Sequence, residues 1–352
     1  AIFARAATIP DCIRLEVGQP DFRTPEHICQ AAEQAIRDGW HYYTPMGGLP
    51  SLKERVIAKL TRVNQISAST DQIVIGNGAT AVLSGAMVSL AGIGDEVLIP
   101  DPHWGGYLGM AALAGAEVVR YPCPAENGYL PDLEQLDALI TPRTKLLVIN
   151  SPYNPAGVIF SREALREVGE IAARRVLWIL SDEAYDQIVL DGTHVAPSML
   201  SCADPERVIA AFTFSKTYAM PGWRIGYGCG PKSAIQAITK ACDGMYSCIN
   251  TLGQKAAEAA LDGPQECVEE MVNEYRRRRE VVAQLLTEAR LLLALPTGAF
   301  YAMADISQTG IPSLDLAWRL LEERNVAMSP GSAFGPGGEG AIRISLANSE
   351  EN

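Results

Sequence analysis

The sequence lacks the patterns typical of several functional classes. Its eight cysteines contain no Cys-x-x-Cys pair, so we expect neither a metal site nor a dense disulfide framework. No apolar run reaches the roughly 18 residues that a membrane span needs. With 29 Lys and Arg against 41 Asp and Glu, the net charge is −12, which argues against a nucleic-acid surface. We expect a cytoplasmic chain with free thiols and no metal, membrane or nucleic-acid partner.

The chain is long enough for two unequal domains, because at 352 residues it exceeds the roughly 250 at which single cores tend to split. Between about residues 70 and 230, short apolar runs alternate with helix-length segments, which favours an α/β domain with a mostly parallel sheet. The predicted strands cover 72–75, 96–99, 117–120, 145–149, 177–180, 208–212 and 225–229. Helices are predicted to begin after Gly78, after Pro102, at Leu133, at Ser161 and at Pro231.

The last hundred residues have a different pattern, which indicates a smaller α+β domain. A long amphipathic helix is predicted over about 256–289, and a second one over 314–324. Strands are predicted at 299–304 and 341–346. The basic run Arg276–Arg279 lies among glutamates in the long helix, and we interpret it as a solvated helix face rather than a binding patch.

The segment from Thr213 to Tyr227 contains the strongest candidate for chemistry. Lys216 follows an apolar strand, and a lysine becomes a useful nucleophile only when its pKa is lowered or its amine is already bound as an imine. The hydroxyls of Thr213 and Ser215 could hold a phosphate, and the guanidinium of Arg224 suits bidentate phosphate recognition. A lysine and an arginine alone would also fit a surface position and a structural position.

This segment resembles the signature of the class I/II aminotransferases, which are fold-type I enzymes dependent on pyridoxal 5′-phosphate (PLP). That signature reads Ser-Lys-x-x-x-x-x-Gly-x-Arg-x-Gly, and its fixed positions are filled here by Ser215, Lys216, Gly222, Arg224 and Gly226. The resemblance, to the aspartate and aromatic subgroup, implies that the lysine holds PLP as a Schiff base and that the arginine binds its phosphate. It also implies a three-layer α/β/α fold with a mostly parallel sheet. The large PLP-binding domain would span 45–255, and segments 1–44 and 256–352 would form the small domain.

Two further segments follow strands and match the family's cofactor contacts. Asp182 ends an apolar run, where α/β sheets place groups that face ligands. By resemblance Asp182 pairs with the ring nitrogen of PLP, and an anion there keeps that nitrogen protonated. Tyr185 would donate to the phenolic oxygen of the cofactor. Asn154 lies in an Asn-Pro-x-Gly pattern and would contact the same oxygen and the substrate carboxylate, although Asn-Pro is also a common turn.

The phosphate and the ring face have candidates nearer the N-terminus. Gly78, Ala79 and Thr80 lie between a strand and a helix, where backbone N–H groups can bind an anion. The family has its phosphate cup at this place. Trp104 matches the aromatic residue that stacks on the cofactor ring, although core packing would also explain a tryptophan.

Three residues are candidates for the substrate and for a partner subunit. Arg343 is a charge inside an apolar strand and therefore needs a partner; in the family this arginine binds the α-carboxylate. Gly18 resembles an N-terminal position whose backbone meets the same carboxylate. Tyr43 matches the tyrosine that reaches the phosphate of the neighbouring subunit, which implies a homodimer with shared active sites.

The resemblance implies transfer of an amino group from an α-amino acid to a 2-oxo acid by a ping-pong mechanism. Lys216, Asp182 and Tyr185 would be the catalytic residues. A PLP-dependent lyase or synthase on the same fold remains an alternative, because the cofactor residues are shared. A non-catalytic regulatory domain would need a fused DNA-binding region. Thr80 stands where aspartate-specific relatives often have a lysine, which slightly favours a neutral or aromatic donor.

Overall fold

A computed structural model describes residues 1–349 of the chain. Its centre is a seven-stranded sheet in the order β2-β8-β7-β6-β5-β3-β4. These strands are β2 (Ile73–Gly76), β3 (Glu96–Asp101), β4 (Glu117–Pro122), β5 (Thr144–Asn150), β6 (Trp178–Asp182), β7 (Val208–Thr213) and β8 (Gly226–Cys229). They follow β1 (Ile13–Arg14) and precede β9 (Tyr301–Asp305), β10 (Val326–Ala327), β11 (Ser329–Pro330) and β12 (Ala341–Ser345). The seven strands predicted between residues 70 and 230 are all confirmed.

Neighbouring strands from β3 to β7 run parallel, and β8 is antiparallel to both β7 and β2. The sheet is mostly parallel, as predicted. Asn150 at the end of β5 is in register with Asp182 at the end of β6. The carboxyl ends of these strands therefore meet at one edge, where α/β sheets bind ligands.

Helices cover both faces of the sheet. Leu146 and Val148 of β5 pack into one apolar cluster with helices α4, α5 and α9, while Leu147 and Ile149 pack into another with α6 and α7. Strands buried on both faces read as continuous apolar runs, as these do. The helices are α1 (Ile2–Ala6), α2 (Glu26–Arg37), α3 (Pro50–Lys59), α4 (Ala79–Leu90), α5 (Gly106–Ala114), α6 (Leu133–Ala138), α7 (Arg162–Arg175), α8 (Phe214–Thr217), α9 (Lys232–Tyr246), α10 (Thr251–Asp262), α11 (Glu266–Glu288) and α12 (Ser313–Arg324).

The single helix predicted over 256–289 is wrong. The chain forms two helices, α10 and α11, which are separated by the three residues Gly263, Pro264 and Gln265. Gly263 is extended, with φ −77° and ψ −179°, since the ring of a following proline disfavours the helical conformation. Both helices bury one face, so the amphipathic sequence pattern continues from one to the next. For that reason the pattern alone did not predict the break.

The basic run in α11 is also not a solvated face. Arg278 is only 8% exposed and donates to both carboxylate oxygens of Asp21 at 2.9 Å. Arg276 and Arg279 donate to the backbone carbonyls of Val189 and Leu190. The apolar stem of an arginine can pack on an apolar surface while its guanidinium donates to acceptors at the edge of that surface. A sequence pattern alone does not show such acceptors.

Two smaller sheets complete the fold. Strands β11, β12 and β9 form an antiparallel sheet, and β1 pairs in parallel with β10, which joins the N-terminal segment to the C-terminal part. The domain boundaries at 44/45 and 255/256 stay a prediction. In residues 1–349, no helix combines the length and the apolar character of a membrane span.

Candidate active site

A cavity of about 350 Å³ opens at the carboxyl edge of the large sheet. Most of the predicted site residues line it together, although they come from segments as distant as Gly18 and Arg343. The lining includes the predicted residues Gly18, Ala79, Thr80, Trp104, Asn154, Asp182, Tyr185, Thr213, Ser215, Lys216, Arg224 and Arg343. Gly78 lies directly beside this lining, and Tyr43 lies elsewhere.

Lys216 lies in the short helix α8, which begins directly after β7. Thr213 caps this helix, because its hydroxyl accepts from the N–H of Ser215 at 3.1 Å. The Nζ of Lys216 donates to the carbonyl oxygen of Gly18 at 2.5 Å. Burial, assisted by the positive charge of Arg343, lowers the pKa of Lys216 to about 8. A neutral amine, the nucleophilic form of a lysine, is therefore accessible near neutral pH.

Asp182 ends β6 and is only 6% exposed. It accepts from the Tyr107 hydroxyl at 2.7 Å and from the backbone N–H of Ala184 at 3.3 Å. Within residues 1–349 it forms no ion pair within 4.0 Å; burial raises its pKa, and the hydrogen bonds from Tyr107 and Ala184 and the positive charge of Lys216 partly counter that rise. Tyr107 was missed at the sequence level; its position in the first turn of α5, three residues after Trp104, was the only signal.

The first turn of α4 forms a narrow cradle with Arg224. Gly78 has a φ of +79°, and a Cβ there would lie 2.6 Å from Arg224 Nη2. A Cβ on Gly226 would lie 2.5 Å from the backbone nitrogen of Ala79. Arg224 itself has a φ of +56°, which is uncommon for a residue with a side chain. The backbone is therefore packed so that the guanidinium lies against the start of α4, where an anion is favoured.

Arg343 projects from the middle of β12 and is 6% exposed. It donates through Nη1 to Asn154 Oδ1 at 2.9 Å and through Nη2 to the carbonyl of Glu16 at 2.7 Å. Its guanidinium lies 4.2 Å from the ring centre of Tyr301 and 4.7 Å from that of Phe334. No carboxylate lies within 4.0 Å of this charge in the described residues, and its Nε has no hydrogen-bond partner there. The arrangement suits an incoming carboxylate.

Tyr301, at the start of β9, is a second residue that sequence reasoning missed. Its hydroxyl lies 2.7 Å from that of Tyr185, and both side chains are buried. A Cβ on Gly18 would lie 2.5 Å from the Tyr301 hydroxyl, so the N-terminal segment packs against it closely. The only signal was an aromatic residue in a predicted strand, which core packing explains equally well.

Asn154 and Trp104 complete the walls of the cavity. The backbone N–H of Asn154 donates to Asn150 Oδ1 at 2.9 Å, which fixes the turn that carries the Asn154 side chain. Trp104 is partly buried and meets Tyr107 edge to face, with ring centres 5.4 Å apart. The Tyr107 hydroxyl in turn binds Asp182, so the two aromatic residues and the carboxylate form one contiguous wall.

Tyr43 was predicted at the site, but it does not line the cavity of its own chain. It is 92% exposed and lines a separate surface depression with Trp40, Tyr42 and Ile249. Tyr42 is also 77% exposed.

The residues present fit PLP. Asp182 is a buried carboxylate that forms no ion pair within 4.0 Å in residues 1–349, and a buried charge needs a close partner; a protonated ring nitrogen would supply one. Gly78 lets the guanidinium of Arg224 lie against the start of α4, where a Cβ would collide with it, and this pairing of a cation with a helix N-terminus suits a phosphate. Lys216 stands in the same cavity with a lowered pKa. Among residues 1–349, no cluster of three or more His, Cys, Asp or Glu could hold a metal ion.

Comparison with known proteins gives a consistent result over the whole chain. The family model for aminotransferase class I and II matches residues 10–352. The aspartate aminotransferase of Pyrococcus horikoshii is 38% identical, over 99% of this chain and 90% of that protein. The aspartate/prephenate aminotransferase of Thermus thermophilus is 36% identical, over 97% and 88%. The crystal structure of an aromatic aminotransferase from Pyrococcus horikoshii superposes with a TM-score of 0.93 at 36% identity, covering 100% of this chain and 95% of that one. The chain therefore belongs to the class I and II aminotransferases, and it is a PLP-dependent transaminase.

Proposed function

We propose that PLP occupies the cavity at the carboxyl edge of the large sheet, bound covalently to Lys216. Asp182 would pair with the ring nitrogen and Tyr185 with the phenolic oxygen, to which Asn154 also points, and Trp104 would cover the ring face. The phosphate would bind the first turn of α4, at Gly78, Ala79 and Thr80, together with Thr213, Ser215 and Arg224. The observation that carries this proposal is that Asp182, buried and without an ion pair within 4.0 Å in residues 1–349, shares one cavity with Lys216.

The substrate α-carboxylate would bind Arg343 and Asn154, with the backbone of Gly18 beside them. Arg343 is held between Tyr301 and Phe334, so water is largely excluded from its faces and its attraction for a carboxylate is strengthened. Binding the carboxylate at this fixed place orients the rest of the amino acid, which is the main contribution of positioning residues to catalysis.

Proton transfer at the substrate Cα is the step that Lys216 would perform. When PLP is bound, its protonated ring serves as the electron sink for the bond that breaks at Cα. In the cavity of the chain alone, burial and the charge of Arg343 lower the pKa of Lys216 to about 8, and a lowered pKa is what a general base needs near neutral pH. Lys216 would carry the proton between Cα and the cofactor.

Replacing Lys216 with alanine tests this assignment. Lys216→Ala should lose the visible absorbance of the covalently held cofactor and the transaminase activity, whereas Lys240→Ala, an exposed lysine outside the cavity, should keep both. An unchanged cofactor spectrum in Lys216→Ala would overturn the proposal.

For the amino donor we propose a neutral or aromatic amino acid. The cations lining the cavity of this chain are Lys216, Arg224 and Arg343, and each already has a role; Thr80 supplies no charge for a second carboxylate. A panel of donors with pyruvate and 2-oxoglutarate as acceptors tests this, and a higher kcat/KM for aspartate than for every neutral donor would contradict it. Pyruvate and ammonia released from cysteine thioethers would instead indicate the lyase alternative.

We further propose a cytoplasmic homodimer in which Tyr43 reaches the cofactor phosphate of the partner subunit. Tyr43, Tyr42, Trp40 and Met46 are exposed within seven residues of sequence, and exposed apolar clusters of this kind mark interaction sites. The large domain would span 45–255, and 1–44 with 256–352 would form the small domain. Light scattering that gives the mass of one chain would contradict the dimer.

A further inference from the structure

Two buried tyrosines connect the part of the cavity that holds Arg343 with the part that holds Asp182. Tyr185 and Tyr301 are 4% and 1% exposed, and their hydroxyl oxygens lie 2.7 Å apart. Each hydroxyl has one proton, so one tyrosine donates to the other and the second keeps its own proton for another acceptor. The direction of this bond decides which phenol can donate into the cavity.

The surroundings of the two hydroxyls differ in charge. The guanidinium of Arg343 lies 4.2 Å from the Tyr301 ring centre, and a cation favours loss of a phenol proton. Asp182, three residues before Tyr185, has a negative charge that disfavours loss of the Tyr185 proton. Burial raises the pKa of both phenols, and Arg343 counters this rise at both. The hydrogen bond between them lowers the pKa of Tyr301, whereas Tyr301 and Asp182 both raise the pKa of Tyr185. The more acidic phenol is the better donor, so the position of Arg343 against the Tyr301 ring favours Tyr301 as the donor of the pair.

Other charged and titratable groups do not reverse this asymmetry. Lys216 Nζ lies 5.7 Å from the Tyr185 ring centre, but its own hydrogen bond goes to the carbonyl of Gly18. Glu16 acts on Arg343 from the N-terminal segment, and Tyr275 faces Tyr301 from α11. Neither Glu16 nor Tyr275 forms a hydrogen bond with either hydroxyl.

We propose that Tyr301 is a positioning residue: its hydroxyl donates to the oxygen of Tyr185 and leaves the Tyr185 proton free to bind the phenolic oxygen of the cofactor. This inference rests on the proposed function. Hydrogen bonds in series strengthen one another, so donation by Tyr301 makes Tyr185 the stronger donor. Tyr301 also lies beneath Arg343, so the residue that binds the substrate carboxylate contacts the residue that directs the Tyr185 proton.

Tyr301→Phe tests the proposal, because it removes one hydroxyl and keeps the ring beneath Arg343. The affinity of the cofactor-free protein for PLP should fall roughly 2- to 10-fold, the loss expected for one hydrogen bond. The pH at which the bound cofactor changes its visible absorbance should rise, because the deprotonated form loses part of its hydrogen bond. KM for the amino donor should stay unchanged.

Tyr275→Phe is the matched control. Tyr275 is fully buried in the same cluster, and its hydroxyl has no hydrogen-bond partner in residues 1–349. This variant should leave the PLP affinity and the absorbance titration unchanged. Any change that it does cause measures the effect of removing a buried hydroxyl alone and is subtracted from the change seen in Tyr301→Phe.

A double variant separates the proposed relay from an independent contact. Tyr185→Phe with Tyr301→Phe should be no worse than Tyr185→Phe alone, because Tyr301 acts only through Tyr185. Full additivity, or a Tyr301→Phe variant identical to Tyr275→Phe, would overturn the inference while leaving the proposed function intact. If the unaltered protein bound no PLP, the proposed function itself would fall.

Discussion

The two ends of the cavity are built in different ways. The cofactor end takes Asp182 and Lys216 from the ends of β6 and β7, which are adjacent strands of one parallel sheet. The substrate end takes Arg343 from β12 and Gly18 from a loop near the N-terminus. Sheet topology alone places the first group, whereas the second group meets only when distant segments pack together.

This difference separates affinity for the cofactor from recognition of the substrate. Residues on neighbouring strands of one sheet share its rigidity, which suits a permanently bound group. A site assembled from separate segments can change its geometry without disturbing that sheet. Changes at one end should therefore affect PLP, and changes at the other should affect the amino acid.

The largest effect is expected at the cofactor end. Asp182→Asn keeps an acceptor for Tyr107 but removes the charge beside the ring nitrogen, so kcat should fall roughly 100- to 1,000-fold, the usual loss when one group that stabilises developing charge is removed. Steady-state kinetics measure it. Asp191→Asn, an exposed carboxylate, is the control; equal activity of the two variants would contradict the role of Asp182.

The substrate end should respond in a different parameter. Arg343→Lys retains the charge but loses the planar geometry that suits a carboxylate, so kcat/KM for the amino donor should fall roughly 10- to 100-fold while PLP affinity changes little. A loss of PLP affinity as large as the loss of kcat/KM would show that the two ends are not separate.

A glycine pair isolates the phosphate cradle. Gly78 and Gly94 both have a positive φ, but a Cβ on Gly78 would meet Arg224 at 2.6 Å, whereas a Cβ on Gly94 would meet nothing within 4 Å. Both alanine variants should lose about 1 kcal/mol of stability through backbone strain. Only Gly78→Ala should also weaken PLP binding, by roughly 5-fold. Equal PLP affinities in a titration would argue against the cradle.

The smallest effect concerns pH. Burial lowers the pKa of Lys216 to about 8 from 10.5, so the neutral amine predominates above that pH. In cofactor-free protein, the rate of covalent PLP attachment should rise as the pH increases through about 8 and then level off. Arg343→Gln removes a charge that disfavours the ammonium form, so the midpoint should move to higher pH. Stopped-flow absorbance measures both; an unmoved midpoint would contradict the effect of the Arg343 charge on the pKa of Lys216.

The two ends also differ in how far the sequence predicted them. Lys216, Asp182 and Asn154 follow apolar strands within recognisable motifs, so strand order and motif spacing were sufficient to place them together. Tyr107 and Tyr301 have no motif, since their roles arise from single hydroxyl contacts that only the packed fold creates. The break at Gly263 was missed because helical periodicity continues across it.

The central claim is that one cavity joins a PLP held by Lys216 to a carboxylate site at Arg343 and transfers an amino group between acids. A single-turnover experiment with an amino donor and no acceptor tests it most directly. We predict that the bound cofactor's absorbance converts completely, with one equivalent of 2-oxo acid released per cofactor and no free ammonia. Continued release of ammonia and 2-oxo acid beyond one equivalent, or no conversion by any donor, would contradict the account.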